Sequence, residues 1–142
     1  METQQKKETI TIETTINSPI EKVWDYWSLP EHITQWSFAS DEWHTPSASN
    51  DLRTGGKFSS RMEAKDGSMG FDFGGVYDDV QKHKYMEYTL GDNRKVKVYF
   101  SPEGKGTKVI EEFEAEEMNS LELQKNGWQA ILDNFKRYTE NN

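Results

Sequence analysis

The chain has 142 residues, 25 acidic against 17 basic side chains for a formal net charge of −8, a 13% share of aromatics and no cysteine. That length suits one domain with its own core, and the acidic balance speaks against nucleic acid or an anionic membrane as partner, since both require basic surface. Without thiols there is no disulfide, thiolate zinc site or cysteine nucleophile; with no apolar run of the ~18 residues that span a bilayer and no signal-type core in METQQKKET, the expectation is a cytoplasmic protein.

Residues 1–8 are polar and predict a disordered tail ahead of a single domain over 9–142. Between Thr9 and Ile16, Ile10, Ile12 and Ile16 share one face, the pattern of a half-buried strand. Ser18, Pro19 and Glu21 read as a capping box with proline at the first helical position. Ile20, Val23, Trp24 and Trp27 then fall at helical spacing and give that helix an apolar face. Pro30 ends it, and a second short helix is expected over about Pro30–Gln35. Residues 37–56 are rich in Ser, Thr, Asp and Gly; Trp43 and Leu52 are the buried candidates there, and strand content is open.

From Lys57 onward the pattern is a run of antiparallel strands separated by turns. Phe58, Ser60, Met62 and Ala64 share a face before Asp66–Gly67, and Phe71, Phe73, Gly75 and Tyr77 share one after it. Gly74–Gly75 would permit a bulge or a sharp bend. Met86, Tyr88 and Leu90 alternate, then Val96, Val98 and Phe100, then Val109, Glu111 and Phe113 over about Thr107–Ala115. Asn119 as cap, with Glu122 three residues on, starts a helix running to about Thr139. Its apolar stripe is Leu121, Trp128, Ile131, Leu132, Phe135 and Tyr138, while Glu122, Lys125, Asp133, Lys136 and Arg137 face water. Such a helix is roughly 30 Å long and crosses a small domain. The fold class is therefore α+β: a curved antiparallel sheet around a long C-terminal helix, with two short helices after the first strand. Curvature leaves space between sheet and helix.

Several segments are familiar in order: SPIEKVWDYW from Ser18, LRTGGKF from Leu52, RMEAKDG from Arg61, GFDFGGVY from Gly70 and GWQAILDNFKRY from Gly127. Together they resemble the bacterial relatives of the activator of heat-shock protein 90 ATPase, a family within the START/birch-allergen-like (SRPBCC) superfamily with its helix-grip fold. The resemblance covers about residues 9–140. It implies a seven-stranded-type sheet closed at one end by the two short helices, and a pocket that in many relatives accepts lipids, flavonoids, polyketides or other hydrophobic molecules. It also implies a chaperone partner. The eukaryotic activator, however, engages its chaperone through an additional N-terminal domain, and here the strand pattern begins near residue 9, so this partner ranks behind a ligand.

The residues expected to line such a pocket are Trp36, Phe38, Trp43, Met62, Phe71, Phe73, Tyr88, Val98, Phe100, Glu111, Phe113, Trp128, Ile131, Leu132 and Phe135. Each ring taken singly is also what an ordinary core uses. Glu111 stands between Val109 and Phe113 on one face; a carboxyl there needs a partner or a raised pKa. Read one residue out of phase, the strand turns Ile110 inward and Glu111 to water. Glu111, Tyr88 and His44 are the polar groups that would orient a ligand. Gly127, inside the last helix, calls for a close packing partner or a pocket mouth beside it. Arg53 with Gly55–Gly56 reads as a structural turn, and it lacks the ending of a phosphate loop. His32, His44 and His83 lack metal spacing, and no G-x-S-x-G elbow occurs. The expected function is non-enzymatic binding of a small hydrophobic or aromatic molecule by a monomer without metal or cofactor; the resemblance alone implies a link to stress response. The alternatives are modulation of a heat-shock protein 90 class chaperone, and a cyclase- or aromatase-like enzyme with Glu111 as general acid/base.

Overall fold

The strand periods close into a single antiparallel sheet. The computed structural model describes residues 8–142; the expected tail, apart from Glu8, lies outside the described residues. In chain order the elements are β1 (Thr9–Ile16), α1 (Ile20–Ser28), α2 (Pro30–Trp36), β2 (Trp43–Asn50), β3 (Lys57–Ala64), β4 (Gly70–Gln81), β5 (Tyr85–Leu90), β6 (Lys95–Glu103), β7 (Gly106–Glu114) and α3 (Leu121–Asn141). The seven strands are ordered β1-β7-β6-β5-β4-β3-β2, so β1 and the last strand pair and only β1 and β2 are edges. This is the helix-grip arrangement: a curled sheet, a long terminal helix against its hollow side and two short helices at one end.

Alternation works strand by strand. On β7, Thr107, Val109, Glu111 and Phe113 are all buried, and on β6 Val96, Val98 and Phe100 are. Their registers align Ile12 with Glu111 and Glu111 with Val98, which sets the carboxyl-bearing residue between two buried aliphatics. The out-of-phase reading of β7 is thereby excluded.

β2 was illegible because it is an edge strand with an irregular register between His44 and Ser47, and Pro46 sits in that irregularity. Proline is tolerated in a sheet at such places. Gly74 and Gly75 are not a bulge: both keep regular register with β3, and the shift in β4 comes later, between Tyr77 and Asp79. What requires a glycine at 75 is the carbonyl of Thr89, which occupies the place a Cβ would take.

Both helix caps fall one residue from expectation. α1 starts at Ile20 with Pro19 as its N-cap and no side-chain cap. Ser18 is buried instead, its carbonyl accepting from the Thr107 hydroxyl at 2.8 Å, so it ties the helix to β7. Ser120, not Asn119, caps α3, its Oγ accepting from Leu123 N at 3.1 Å. The Asn119 carbonyl accepts from the buried Gln124 amide, which also bonds Glu116. Leu121, placed in the apolar stripe, is 47% exposed. Gly127 has no close partner: a Cβ there would meet nothing within 4 Å.

The helices do not cover the hollow side evenly. The backbone of α3 approaches the sheet at β1, α1 approaches β6 and β7, and α2 lies beside β2, while no helix comes as close to β3, β4 or β5. No helix among the described residues is long and apolar enough to cross a membrane.

Candidate functional site

Where α3 leans toward β1, the opposite side of the hollow stays open as a cavity of about 290 Å³. Its sheet wall is built from inward positions of β3, β4 and β5: Phe58, Ser60 and Met62, then Phe71, Phe73 and Tyr77, then Met86 and Tyr88. Trp128 and Ile131 project into it from α3, and Trp27, Ile33 and Trp36 close one end from α1 and α2. Phe71 is 46% exposed and so belongs to the mouth.

The walls hold one another through ring contacts. Phe58 meets Tyr88 edge-on at 4.8 Å and lies 5.1 Å from Tyr77, while Phe73 stands edge-on to Trp128 at 6.1 Å. These are favourable aromatic geometries. Trp128 stacks flat on Phe113 at 3.9 Å, which fixes its indole as a fixed wall between the cavity and the core below. At the closed end Trp36 donates its indole N–H to the Tyr26 carbonyl at 2.9 Å, and Phe135 is wedged against Trp27 and Trp36 at 4.9 and 4.7 Å.

Few polar groups reach this space, and they differ in whether they are satisfied. Tyr77 donates to Asn50 Oδ1 at 2.7 Å, and Asn50 donates in turn to the Ser28 carbonyl at 2.6 Å. Arg94 pairs with Asp92 at 2.7 Å and reaches the Glu114 carbonyl. Glu111 and Tyr88, 5% and 6% exposed, line the cavity but form no hydrogen bond or ion pair among the described residues. Burial alone raises the Glu111 carboxyl to about 8, so at neutral pH it is mostly the uncharged acid. The Tyr88 phenol is also raised, first by burial and then by the neighbouring Glu111 and Tyr77.

Of the fifteen pocket residues read from sequence, Trp36, Met62, Phe71, Phe73, Tyr88, Glu111, Trp128 and Ile131 meet at the cavity. Val98, Phe100, Phe113, Leu132 and Phe135 do not: they are buried core where α1 and α3 pack on the sheet. Phe100, for instance, is covered edge-on by Trp24 at 5.1 Å. Phe38 and Trp43 lie off the lining, with Trp43 beside Phe71 at 5.9 Å. His44, offered as an orienting group, stands instead next to Glu63 at 3.7 Å on the partly exposed edge. Sequence reasoning missed Phe58, Tyr77 and Met86, although alternation had already put them on the inward face; it also missed Trp27, from the apolar face of α1. Arg94 was findable by running the Val96–Val98–Phe100 alternation back two residues. Ser37, Ser49 and Asn50 carried no signal. No three His, Asp or Glu side chains among the described residues are grouped as a metal site.

No curated protein matches this chain. Among solved structures, an AHSA1-like protein from Aeromonas hydrophila is 45% identical with a TM-score of 0.89, the match covering 94% of this chain and 93% of that one. A protein from Cytophaga hutchinsonii is 56% identical with a TM-score of 0.82, covering 94% and 92%. A protein from Nitrosomonas europaea, at 17% identity and a TM-score of 0.79 over 94% of each chain, shares the fold. The model of the family described as Activator of Hsp90 ATPase homolog 1-like protein matches residues 17–140, and the chain belongs to that family.

Proposed function

We propose that this protein binds a small hydrophobic or aromatic molecule of lipid, flavonoid or polyketide-like character in the cavity between β3–β5 and α3, without turning it over. The observation that carries this reading is the cavity itself: about 290 Å³ of space walled by aromatic and thioether side chains, onto which Glu111 and Tyr88 open without a hydrogen-bond partner among the described residues. Ligand pockets combine those properties, a largely apolar wall and a few convergent polar groups. Burying ring surface at ~25 cal/mol per Å² supplies the affinity.

Trp27, Trp36 and Trp128 on the lining provide the readout. Titration with a flavonoid, a medium-chain fatty alcohol and a polycyclic phenol should change tryptophan fluorescence saturably, with Kd below about 100 μM for at least one of them. No saturable change with any, together with silent calorimetry, would defeat the proposal. A second reading rests on the family's description: modulation of an Hsp90-class ATPase. Stimulation of such an ATPase at saturating protein would support it, and an unchanged rate would remove it.

A further inference from the structure

We propose that the cavity selects neutral aromatic ligands carrying a carbonyl-type acceptor oxygen, which Glu111 and Tyr88 meet as hydrogen-bond donors, and that it discriminates against carboxylates and ammonium ions. This rests on the cavity being a ligand site, as argued above, and narrows its ligand to a chemical class.

Buried polar groups are ordinarily hydrogen-bonded, and exceptions require an explanation. Elsewhere in this protein the rule holds around the same space: Tyr77, next to Tyr88 in the sheet, is satisfied by Asn50. The hydroxyls wholly shut away without a partner, Ser28 and Thr139, lie off the lining; Glu111 and Tyr88, each more than nine-tenths buried as residues, line the cavity and have no hydrogen-bond partner among the described residues. They stand on β7 and β5 with β6 between them, their register positions differing by two residues, so both serve the same stretch of cavity. A ligand oxygen that accepted from both would be held by two directed bonds inside an apolar wall.

The chemistry of that atom follows from the surroundings. Across the sheet Glu111 faces Ile12 and Val98, and along β7 its same-face neighbours are Val109 and Phe113, so these positions put no cation among the described residues beside its ionised form. The titratable or charged groups lining the cavity with it are Tyr88, Tyr77 and Arg94; Tyr77 is engaged with Asn50, and Arg94 with Asp92 and the Glu114 carbonyl. The uncharged acid is the form present at neutral pH, and it presents an O–H, as Tyr88 does. Two donors in an aromatic enclosure fit an acceptor oxygen on a flat ring system. Among the described residues a carboxylate would meet one cation on the lining, Arg94, already bonded to Asp92 and the Glu114 carbonyl, and an ammonium ion would have to ionise Glu111 in apolar surroundings; burying either charge is costly.

The test uses one skeleton in four forms: fluorenone, fluorene, 9-(aminomethyl)fluorene and fluorene-9-carboxylate, each measured by calorimetry against the full chain. Fluorenone should bind about tenfold more tightly than fluorene, the size expected for satisfying an otherwise orphaned buried donor, and at least as far above the two charged forms. Its advantage over fluorene, read as the ratio of the two affinities within one variant, should shrink in Glu111→Leu and likewise in Tyr88→Phe. It should persist in Glu111→Gln, whose amide still donates. Raising the pH from about 6 to about 9.5 should weaken fluorenone with the native chain and leave it unchanged with Glu111→Gln. Equal binding of fluorene and fluorenone, or tightest binding of 9-(aminomethyl)fluorene, overturns the donor assignment while leaving the cavity a receptor. Failure of all four forms to bind removes the receptor reading and this inference with it.

Discussion

The hollow side of the sheet has two halves made by the same alternation of apolar and polar residues, and they differ only in what lies above them. Over β1, β7 and β6, α3 and α1 press down, and Ile12, Val98, Val109, Leu132 and Phe135 are almost wholly excluded from solvent. Over β3, β4 and β5 the helices stand away, and equally apolar positions such as Phe58, Phe73 and Met86 face a cavity. A curved sheet cannot be covered on both halves by one straight helix without very large side chains. The position of α3 is what divides this protein into a packed scaffold and a receptor.

Substitution of Phe135 by alanine should produce the largest effect that bears on this division. Its ring is fully buried between Trp27 and Trp36, so removal leaves a hole and should cost ~3–5 kcal/mol in denaturant unfolding. The corresponding change on the open side is Phe73→Ala. That ring already borders empty space, so the cost should be about 1 kcal/mol, with ligand binding falling about tenfold instead. Equal stability losses at the two sites would erase the distinction between the halves.

Glu111 lies where the halves meet, and its effect, intermediate in size, depends on pH. In the folded chain it holds its proton up to about 8, whereas the unfolded chain releases it near the ordinary 4.5. Between those values the unfolded state binds fewer protons, so stability falls as pH rises and levels off above the folded value. Glu111→Gln removes the group. Relative to the native chain its stability should rise by about 1 kcal/mol per pH unit across that window and stay level on either side, measured by unfolding at pH about 4, 6.5 and 9. A flat difference would mean that the carboxyl is solvated or paired after all.

Gly127→Ala should have the smallest effect and the opposite sign. Nothing stands where its Cβ would go, so the helix should gain about 0.5–1 kcal/mol without loss of binding. A loss of binding would show that the open space beside Trp128 belongs to the route into the cavity.

How far the sequence could be read follows the same physical line. Period-two alternation depends only on neighbours in the chain, so β5, β6 and β7 and their inward residues were legible. Glu111 stood open because a carboxyl contradicts the apolar pattern around it, and only the cross-strand positions of Ile12 and Val98 settle its direction. β2 was hidden by Pro46 and its irregular edge register; the Ser18 carbonyl is engaged by the distant Thr107 hydroxyl, and the Asn119 carbonyl by the nearby Gln124 amide. Which inward residues are core and which are wall, Leu132 or Ile131, Phe100 or Phe58, depends on where α3 lies across the sheet. That is a long-range property with no local signature.

The five methionines offer the most direct test of the central claim. Met62 and Met86 line the cavity, whereas Met69 and Met118 are exposed elsewhere on the surface. With methyl-labelled methionine and fluorene as a plain apolar probe, the NMR signals of Met62 and Met86 should shift saturably while those of Met69 and Met118 stay in place. Still signals at Met62 and Met86, or shifts confined to Met69 and Met118, would contradict a receptor between sheet and helix.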